Sequence, residues 1–317
     1  MKYYAGIDLG GTFVKCGIVS EEGELLIKDK MPTQRGRSFA EIAGDMARLA
    51  GALAEKAGVS LSGAGVGSPG VVDSKNGAIV YSCNLNWRNA ALAEEMESVL
   101  GVPVCVTNDA NAAALGEQFI GAGKGFRNVV FVTLGTGVGG GIVIDGKLFE
   151  GFRSAGAEIG HTVIRMNGER CGCGRKGCFE AYASATALIR QTRRAMEKHP
   201  ESEMWKLCGG DPEKADGRTS FDGMRAGDRT AKTVVKNYIG YLSEGVTNLC
   251  NEFRPEAVLL GGGISAEGDT LVKPLSELVD RKVYGGTDYA PVKILKASLG
   301  NDAGMFGAAR FAMLRSR

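Results

Sequence analysis

The sequence predicts an α/β protein made of two similar domains, and three observations support this fold class. The chain has 317 residues, which is more than one compact hydrophobic core usually accommodates. Short apolar runs with strand character are interspersed with longer stretches of helical spacing. A glycine-rich strand-turn-strand pattern occurs around Asp8 and returns 125 residues later around Thr133. Two such hairpins indicate two related domains that face each other across a cleft.

The first hairpin has a glycine-rich turn that carries an acid and a hydroxyl. Tyr3 to Ile7 predicts a buried strand, Phe13 to Val19 predicts its partner, and Asp8-Leu-Gly-Gly-Thr12 lies between them. Glycines at such a turn let backbone N–H groups approach a phosphate, while Asp8 is suited to hold a hydrated Mg²⁺ and Thr12 to contact a phosphoryl oxygen. The alternative is a plain hairpin, because a Gly-Gly turn needs no ligand.

Between the two hairpins the sequence predicts a core-facing helix and a strand. Phe39 to Ala57 has helical spacing and stops at Gly58. Leu61 to Val66 predicts a strand that leads into Gly67-Ser-Pro-Gly70. That rigid turn either presents backbone groups to a ligand or only reverses the chain. The polar segment 83–87 is interpreted as a surface loop.

Asn108 and Asp109 follow an apolar strand, Val102 to Thr107, and precede a helix from about Ala110 to Gln118. An acid between the carboxyl end of a strand and the amino end of a helix lies where α/β folds bind ligands. The helix dipole favours the ionised form of Asp109, which a general base requires. Simple N-capping is the alternative, since Asp and Asn commonly cap helices.

The second hairpin and the segments after it complete the predicted order of elements. Asn128 to Val132 and Ile142 to Ile144 predict strands on either side of a glycine-rich turn, Thr133 to Gly141. Further predictions are a helix over 181–199, a loop with short helices over 200–228, a helix over 230–253, strands over 257–260 and 292–297, and a terminal helix over 301–314 that packs back onto the first domain. Gly261-Gly-Gly-Ile-Ser265 follows the first of these strands, and its glycines permit close approach to a nucleotide base or ribose.

Three of the eight cysteines lie close together in the stretch 156–180. Cys171, Cys173 and Cys178 are separated by glycines, and His161 precedes them by ten residues. Four such ligands predict a closed tetrahedral zinc site, which is structural because no position is left for an activated water. A loop with free thiols is the alternative, because the spacing differs from standard zinc fingers. Glu158 and Glu180 flank the cluster, so a bound metal would also fix where these carboxylates point.

Composition excludes several classes of protein. The net charge of +2, without long runs of one sign, gives no reason to expect a nucleic acid or a membrane surface as partner. The sequence shows neither a signal peptide nor a transmembrane span. The remaining cysteines are scattered, as in reduced proteins, so we expect a cytoplasmic location.

The motifs together resemble the ROK family (repressor, open reading frame, kinase) over nearly the whole chain, and its bacterial glucokinases in particular. They are Asp8-Leu-Gly-Gly-Thr12, Gly67-Ser-Pro-Gly70, Asn108-Asp-Ala-Asn111, Leu134-Gly-Thr-Gly137, Glu158-Ile-Gly-His161 and Cys171-Gly-Cys-Gly-Arg-Lys-Gly-Cys-Phe-Glu180. The glycine motifs are shared with the wider actin/Hsp70/sugar kinase superfamily, whereas the cysteine cluster with its upstream histidine is more diagnostic. The resemblance implies a two-lobed ribonuclease-H-like fold with an interdomain cleft. We expect a small lobe of residues 1–118 and 301–317 and a large lobe of residues 119–300 that contains the zinc loop.

The resemblance also implies transfer of phosphate from ATP to the 6-hydroxyl of glucose, with Mg²⁺ and a structural Zn²⁺. It assigns Asp109 as the base, His161 and the three cysteines as zinc ligands, and the following binding residues. The sugar is expected at Gly67, Asn108, Asp109, Glu158, His161 and Glu180, and the nucleotide at Asp8, Gly10, Gly11, Thr12, Lys15, Thr136, Gly137, Gly261, Gly262 and Gly263.

The sequence leaves four questions open. Another hexose, such as N-acetylmannosamine, mannose, allose or fructose, is the main alternative substrate, because specificity depends on pocket shape. Some members of the family are sugar-responsive repressors, but the first hairpin begins at Tyr3 and Asp8 and Asp109 are retained, which favours catalysis. A homodimer is a family expectation, and polyphosphate is an alternative phosphoryl donor.

Overall fold

A computed structural model describes residues 1–286 and 288–315. In chain order its strands and helices are β1 (Tyr3–Leu9), β2 (Phe13–Ser20), β3 (Leu25–Pro32), α1 (Phe39–Ala57), β4 (Leu61–Ser68), β5 (Val71–Asp73), β6 (Ala78–Ser82), β7 (Trp87–Ala90), α2 (Leu92–Leu100), β8 (Val104–Asn108), α3 (Asp109–Phe119), β9 (Val129–Leu134), β10 (Val138–Ile144), β11 (Lys147–Leu148), α4 (Glu180–Ala183), α5 (Ala185–Lys198), α6 (Met204–Leu207), α7 (Thr219–Arg225), α8 (Arg229–Phe253), β12 (Ala257–Gly261), α9 (Asp269–Lys282), β13 (Lys293–Lys296) and α10 (Ala303–Arg315). Short 3₁₀ helices cover Phe152–Ser154, Ile159–His161, Pro212–Lys214, Gly263–Glu267 and Gly300–Asp302.

The chain divides into two compact units. The first contains Met1–Phe131, Gly141–Ala157 and Ser298–Arg317, and the second contains Val132–Gly140 and Glu158–Ala297. The domain prediction, 1–118 with 301–317 against 119–300, remains a proposal about which segments fold as lobes. The predicted small lobe omits 119–131 and 141–157, which belong to the first unit. The last two residues of the prediction, 316 and 317, lie outside the described residues.

The first unit is built on a five-stranded sheet with the order β3-β2-β1-β4-β8. β1 pairs with β2 in antiparallel register and with β4 in parallel register, and β4 pairs in parallel with β8. Alternate side chains of β1 serve opposite faces of the sheet. Ile7 and Leu9 pack into a core with Ile42 of α1, whereas Tyr4 packs with Met305 of α10. Both faces are thus buried, which explains the continuous apolar runs of these strands.

The terminal helix α10 packs onto the first unit, as the sequence predicts. It contacts β1, β4 and α3. A Cβ built at Gly307 would lie 1.5 Å from the carbonyl oxygen of Ala112, so the backbones of α10 and α3 approach within a distance that only glycine allows. Residues distant in sequence therefore complete this core.

The second unit contains the turn between β9 and β10, strands β12 and β13, and helices α4 to α9. The second five-stranded sheet has the order β11-β10-β9-β12-β13, and the division between the units passes through β9 and β10. Asp228 caps α8 by accepting a hydrogen bond from the Thr230 N–H at 2.7 Å. Tyr238 of α8 is fully buried, and its hydroxyl donates to the Ala183 carbonyl at 2.7 Å.

Local predictions from periodicity are largely confirmed, with two corrections. The helix predicted over 181–199 is interrupted, because the Ser184 hydroxyl accepts a hydrogen bond from the Ala187 N–H and caps a new helix, α5. The loop predicted over 83–87 ends in a strand, β7, whose Trp87 is buried against Phe39. Strand β3 and helix α2 were not predicted.

Within residues 1–286 and 288–315, no helix combines the length and the apolar composition that crossing a membrane requires.

Candidate active site and metal centre

In the first unit, the predicted site residues lie where parallel strands end. Asp8 of β1 is in register with Gly67 of β4, and Ser68 of β4 is in register with Asn108 of β8. The carboxyl ends of adjacent parallel strands meet at one edge of the sheet. The structure therefore brings Asp8, Gly67, Asn108 and Asp109 to the same edge.

Asn108 and Asp109 form the start of helix α3. The Asn108 side-chain oxygen accepts hydrogen bonds from the N–H groups of Ala110 at 2.9 Å and Asn111 at 3.3 Å, so Asn108 is the N-cap. Its side-chain amide donates to the Gly70 carbonyl at 3.3 Å, which links the cap to the turn after β4. The capping alternative considered from the sequence is thus correct for Asn108, and it leaves the Asp109 carboxylate available.

Asp109 reaches solvent but is closely surrounded by protein. Desolvation is the largest cause of a pKa raised to about 6 for its carboxyl, to which the negative charge of Asp8 also contributes, against the hydrogen bond from the Ala110 N–H at 2.8 Å. A carboxylate with a pKa near the working pH can accept a proton and still be ionised in most molecules at neutral pH. Asp109 has the properties of a general base.

Asp8 is held by a lysine from the partner strand of its hairpin. The Lys15 ammonium lies 3.2 Å from a carboxylate oxygen of Asp8 and donates to the Asn301 carbonyl at 2.9 Å. Both side chains are half-buried. This pair gives the edge of the sheet one acid and one cation beside the glycine turn, which suits a metal-bound phosphate.

The first glycine turn, Gly10 to Thr12, is braced by residues that sequence reasoning missed. The Thr33 hydroxyl donates to the Gly10 carbonyl at 2.7 Å, and the Thr33 N–H donates to the Thr12 carbonyl at 2.9 Å. The Arg35 guanidinium donates to the Gly11 carbonyl. No local pattern predicts these contacts, because the two segments are joined only by the pairing of β2 with β3.

In the second unit, the turn of the other hairpin is anchored differently. The Gly135 carbonyl accepts from the Ala185 N–H at 2.8 Å, and the Thr136 carbonyl accepts from the Thr186 hydroxyl at 2.9 Å, so the turn rests on the start of α5. The Val138 N–H donates to a carboxylate oxygen of Glu180 at 3.0 Å. A Cβ on Gly137 would lie 2.3 Å from the same oxygen. Gly137 is therefore required for Glu180 to take this position.

Gly261, Gly262 and Gly263 end strand β12 and begin a 3₁₀ helix. Gly262 has a φ of 81°, and a Cβ there would lie 2.5 Å from the Leu134 carbonyl oxygen at the end of β9. A Cβ on Gly263 would meet no atom within 4 Å. Open space above backbone is what the predicted contact with a nucleotide needs.

The four predicted metal ligands converge in the second unit. The ligand atoms of His161, Cys171, Cys173 and Cys178 all lie within 4.8 Å of one another. The Cys173 and Cys178 sulfurs are 3.7 Å apart, and the Cys171 sulfur is 3.7 Å from His161 Nδ1. Zinc-sulfur bonds of about 2.3 Å at tetrahedral angles place two sulfurs about 3.8 Å apart. The donor set and its spacing therefore fit Zn²⁺.

The loop geometry explains how the cysteines are brought together. The Gly174 N–H donates to the Cys171 carbonyl at 3.0 Å, and the Cys171 N–H donates to the Arg175 carbonyl at 2.9 Å, which closes a tight turn. A carboxylate oxygen of Glu180 lies 3.5 Å from the Cys171 sulfur. Glu180 thus connects the cysteine cluster with the turn of the second hairpin.

Glu158 precedes the short 3₁₀ helix Ile159–His161, and His161 is its last residue. The His161 N–H donates to the Glu158 carbonyl at 3.1 Å, and the Glu158 side chain is exposed. With His161 Nδ1 directed at the cysteines, its Nε2 is left for another partner. His161 and Glu180 therefore contact the cysteine cluster, and Glu158 is joined to His161 through the backbone.

Comparison with known proteins identifies the family. Residues 4–314 match the sequence profile of the ROK family. The chain belongs to this family. A ROK protein of Thermotoga maritima named glucokinase is 40% identical over 308 residues, which cover 96% of this chain and 95% of that protein.

Solved ROK structures have the same fold. The ROK family glucokinase from Streptomyces griseus, crystallised with glucose and AMPPNP, is 35% identical with a TM-score of 0.80, covering 98% of this chain and 99% of that chain. The ROK hexokinase from Thermus thermophilus is 33% identical with a TM-score of 0.83, covering 99% and 98%. The family resemblance and the sugar-kinase fold inferred from the sequence are thus confirmed.

Proposed function

We propose that the protein is a glucokinase that transfers the γ-phosphoryl group of ATP to the 6-hydroxyl of glucose. The ROK relatives named glucokinase support the substrates and the reaction. The proposed general base is Asp109, and one observation supports this role. Its carboxylate is solvent-accessible, has a pKa of about 6 and follows the carboxyl end of a parallel strand.

Asp109 accepts the proton of the sugar 6-hydroxyl as its oxygen forms a bond to the γ-phosphorus of ATP. The bond from that phosphorus to the bridging oxygen breaks, and ADP leaves. Gly67, Asn108, Glu158, His161 and Glu180 orient the sugar hydroxyls. Backbone N–H groups of the glycine turns at Gly10 to Thr12 and at Thr136 and Gly137 hold the phosphates, and Gly261 to Gly263 border the nucleoside.

Two metals complete the proposal. Asp8 would hold hydrated Mg²⁺, which neutralises phosphate charge when it is bound. His161 and the three cysteines would hold Zn²⁺, which stabilises the loop through four protein ligands when it is bound. Lys15 keeps the Asp8 carboxylate in place and adds a positive charge near the phosphates.

The Asp109→Asn variant tests the base directly. It keeps the size of the side chain but cannot accept the proton, so turnover should fall by about 10²–10⁴. Glucose binding, followed by intrinsic fluorescence or calorimetry, should remain measurable. An Asp109→Asn enzyme with near-normal turnover would exclude Asp109 as the base.

A sugar panel tests the substrate. ADP release with MgATP should be fastest with glucose, compared with mannose, fructose, allose and N-acetylmannosamine. A higher kcat/KM for any of the other four would replace glucose in the proposal while keeping the kinase activity.

A further inference from the structure

A basic cavity lies in the second unit, and its lining includes none of the residues proposed to bind the sugar, the nucleotide or a metal. It has a volume of about 640 Å³ and is formed by the loop before the cysteines, helix α5 and the start of α8. Five cations line it, namely Arg165, Arg190, Arg194, Lys198 and Arg229. Its volume is in the range of cavities that bind small metabolites.

The two carboxylates in its wall do not balance these cations. Glu169 already accepts hydrogen bonds from both terminal nitrogens of Arg194, at 2.6 and 3.3 Å, and lies 3.8 Å from Arg190. These contacts, with that of Arg194 first, lower the pKa of the Glu169 carboxyl. Glu201 pairs with His199 at 3.0 Å. Five positive and two negative side chains leave a net charge of +3 in one cavity.

Two of the cations have no ionic partner. Among residues 1–286 and 288–315, no carboxylate forms an ion pair with Lys198 or Arg229. The Arg165 guanidinium donates to the Tyr241 hydroxyl at 3.3 Å and shares the negative charge of Glu169 with Arg194 and Arg190. Cations held together without counter-charge repel one another, and this cost is removed when an anion binds between them.

We propose that this cavity binds a small phosphate ester. A phosphate group carries a charge of about −1.5 to −2 at neutral pH, which approaches the uncompensated charge of the cavity, and arginine guanidinium groups match its oxygens. The volume exceeds what a free phosphate ion fills. The Tyr241 ring, whose centroid lies 4.6 Å from that of the Tyr182 ring, offers a wall for the organic part of the ligand. This proposal does not depend on the proposed kinase function.

The site is joined to the metal-ligand loop. Arg165 and Glu169 lie between His161 and Cys171, and their backbone groups bond to Gly177, at 3.3 and 2.8 Å. An anion bound to Arg165 would therefore restrain the loop that carries the cysteines.

Calorimetric titration of the full chain tests the site, with glycerol 3-phosphate and inorganic phosphate as probes at low salt. Glycerol 3-phosphate should bind saturably and more tightly than phosphate. The K198Q/R229Q variant should lose at least about tenfold in affinity, because charge-assisted hydrogen bonds are removed. Its unfolding temperature without anion should be equal to or above that of the unmodified chain.

The control is K232Q/K236Q, which removes two exposed lysines of α8 that do not line the cavity. Its affinity should match that of the unmodified chain. Equal losses in both variants would show nonspecific attraction and overturn the proposal. Unchanged binding in K198Q/R229Q would place the anion elsewhere, and equal affinity for the two probes would overturn the assignment to an ester. The R165Q variant, measured in the same way, provides a second test at a separate position.

Discussion

The two glycine-rich hairpin turns share a backbone pattern but differ in the side chains around them. The first turn is surrounded by charged groups, with the Asp8 and Lys15 pair on its strands and Arg35 bonded to Gly11. The second turn carries Thr133 at the position that matches Asp8, and it is fixed by the start of α5 and by Glu180. The repeated backbone therefore indicates the fold. Both turns are proposed to hold phosphates, and the side chains around them would add a metal-binding carboxylate at the first turn and a link to the proposed sugar-binding Glu180 at the second.

The largest effect is expected from the matched pair Asp8→Asn and Thr133→Val. Asp8→Asn removes the charge that would hold Mg²⁺, so kcat should fall by about 10²–10³, the usual size for loss of one electrostatic group in an active site. Thr133→Val should change kcat by less than about threefold, because a half-buried threonine carries no charge. Steady-state kinetics with MgATP measure both. Similar losses would mean that the two turns have equivalent roles.

Removal of the metal should affect the second turn more than the first. Glu180 contacts both the Cys171 sulfur and the Val138 N–H, so loss of zinc should release it and raise the KM for glucose by about 10–100-fold. The KM for ATP should change little. Zinc content before and after chelation, with kinetics at each stage, checks this result, and activity that is independent of zinc content would contradict it.

The pH dependence tests the carboxylates of the first unit. The pKa of Asp109 in the unliganded chain is about 6, so its basic form is lost as pH falls through 6, and kcat/KM should drop about tenfold per pH unit below that value. Asp8 raises this pKa, so the residual activity of Asp8→Asn should show an acid limb at lower pH.

The same raised pKa predicts that stability falls as pH rises towards 6, whereas activity rises. The native carboxyl of Asp109 holds its proton more tightly than the unfolded one, so its contribution to the free energy of unfolding decreases as pH rises towards 6. The unfolding temperature of Asp109→Asn minus that of the unmodified chain should therefore be higher at pH 7 than at pH 4. Thermal denaturation of both proteins at both pH values measures this difference, and a lower difference at pH 7 than at pH 4 would contradict the raised pKa.

The smallest effects are expected when one glycine of each turn is replaced by alanine. Gly137→Ala places a Cβ against Glu180, so the KM for glucose should rise about tenfold through loss of one charge-assisted hydrogen bond. In Gly11→Ala the Cβ would lie 2.8 Å from a guanidinium nitrogen of Arg35, which is exposed and can move. The KM for ATP should then rise by no more than about threefold. An equal response of both constants in both variants would remove the distinction.

Sequence reasoning succeeded where the signal is local. The glycine turns, helix α1 with its stop at Gly58 and helix α8 follow from periodicity and capping residues, and the four predicted metal ligands lie together. It failed where contacts join distant segments. The support of Gly11 by Arg35 depends on strand pairing, and the cap at Ser184 interrupts a helix whose apolar spacing continues across it. The basic cavity combines α5, α8 and the loop before the cysteines, which are separate in sequence.

The packing of α10 against α3 affects the order in which the protein can be made. Gly307 touches Ala112, so the first unit is completed by a helix that leaves the ribosome after the whole of Glu158–Ala297. The second unit can therefore finish folding during synthesis, whereas the nascent first unit keeps one apolar face of its sheet uncovered until residues 303–315 emerge. During that interval the uncovered face is the part of the chain most exposed to chaperones and to misassociation.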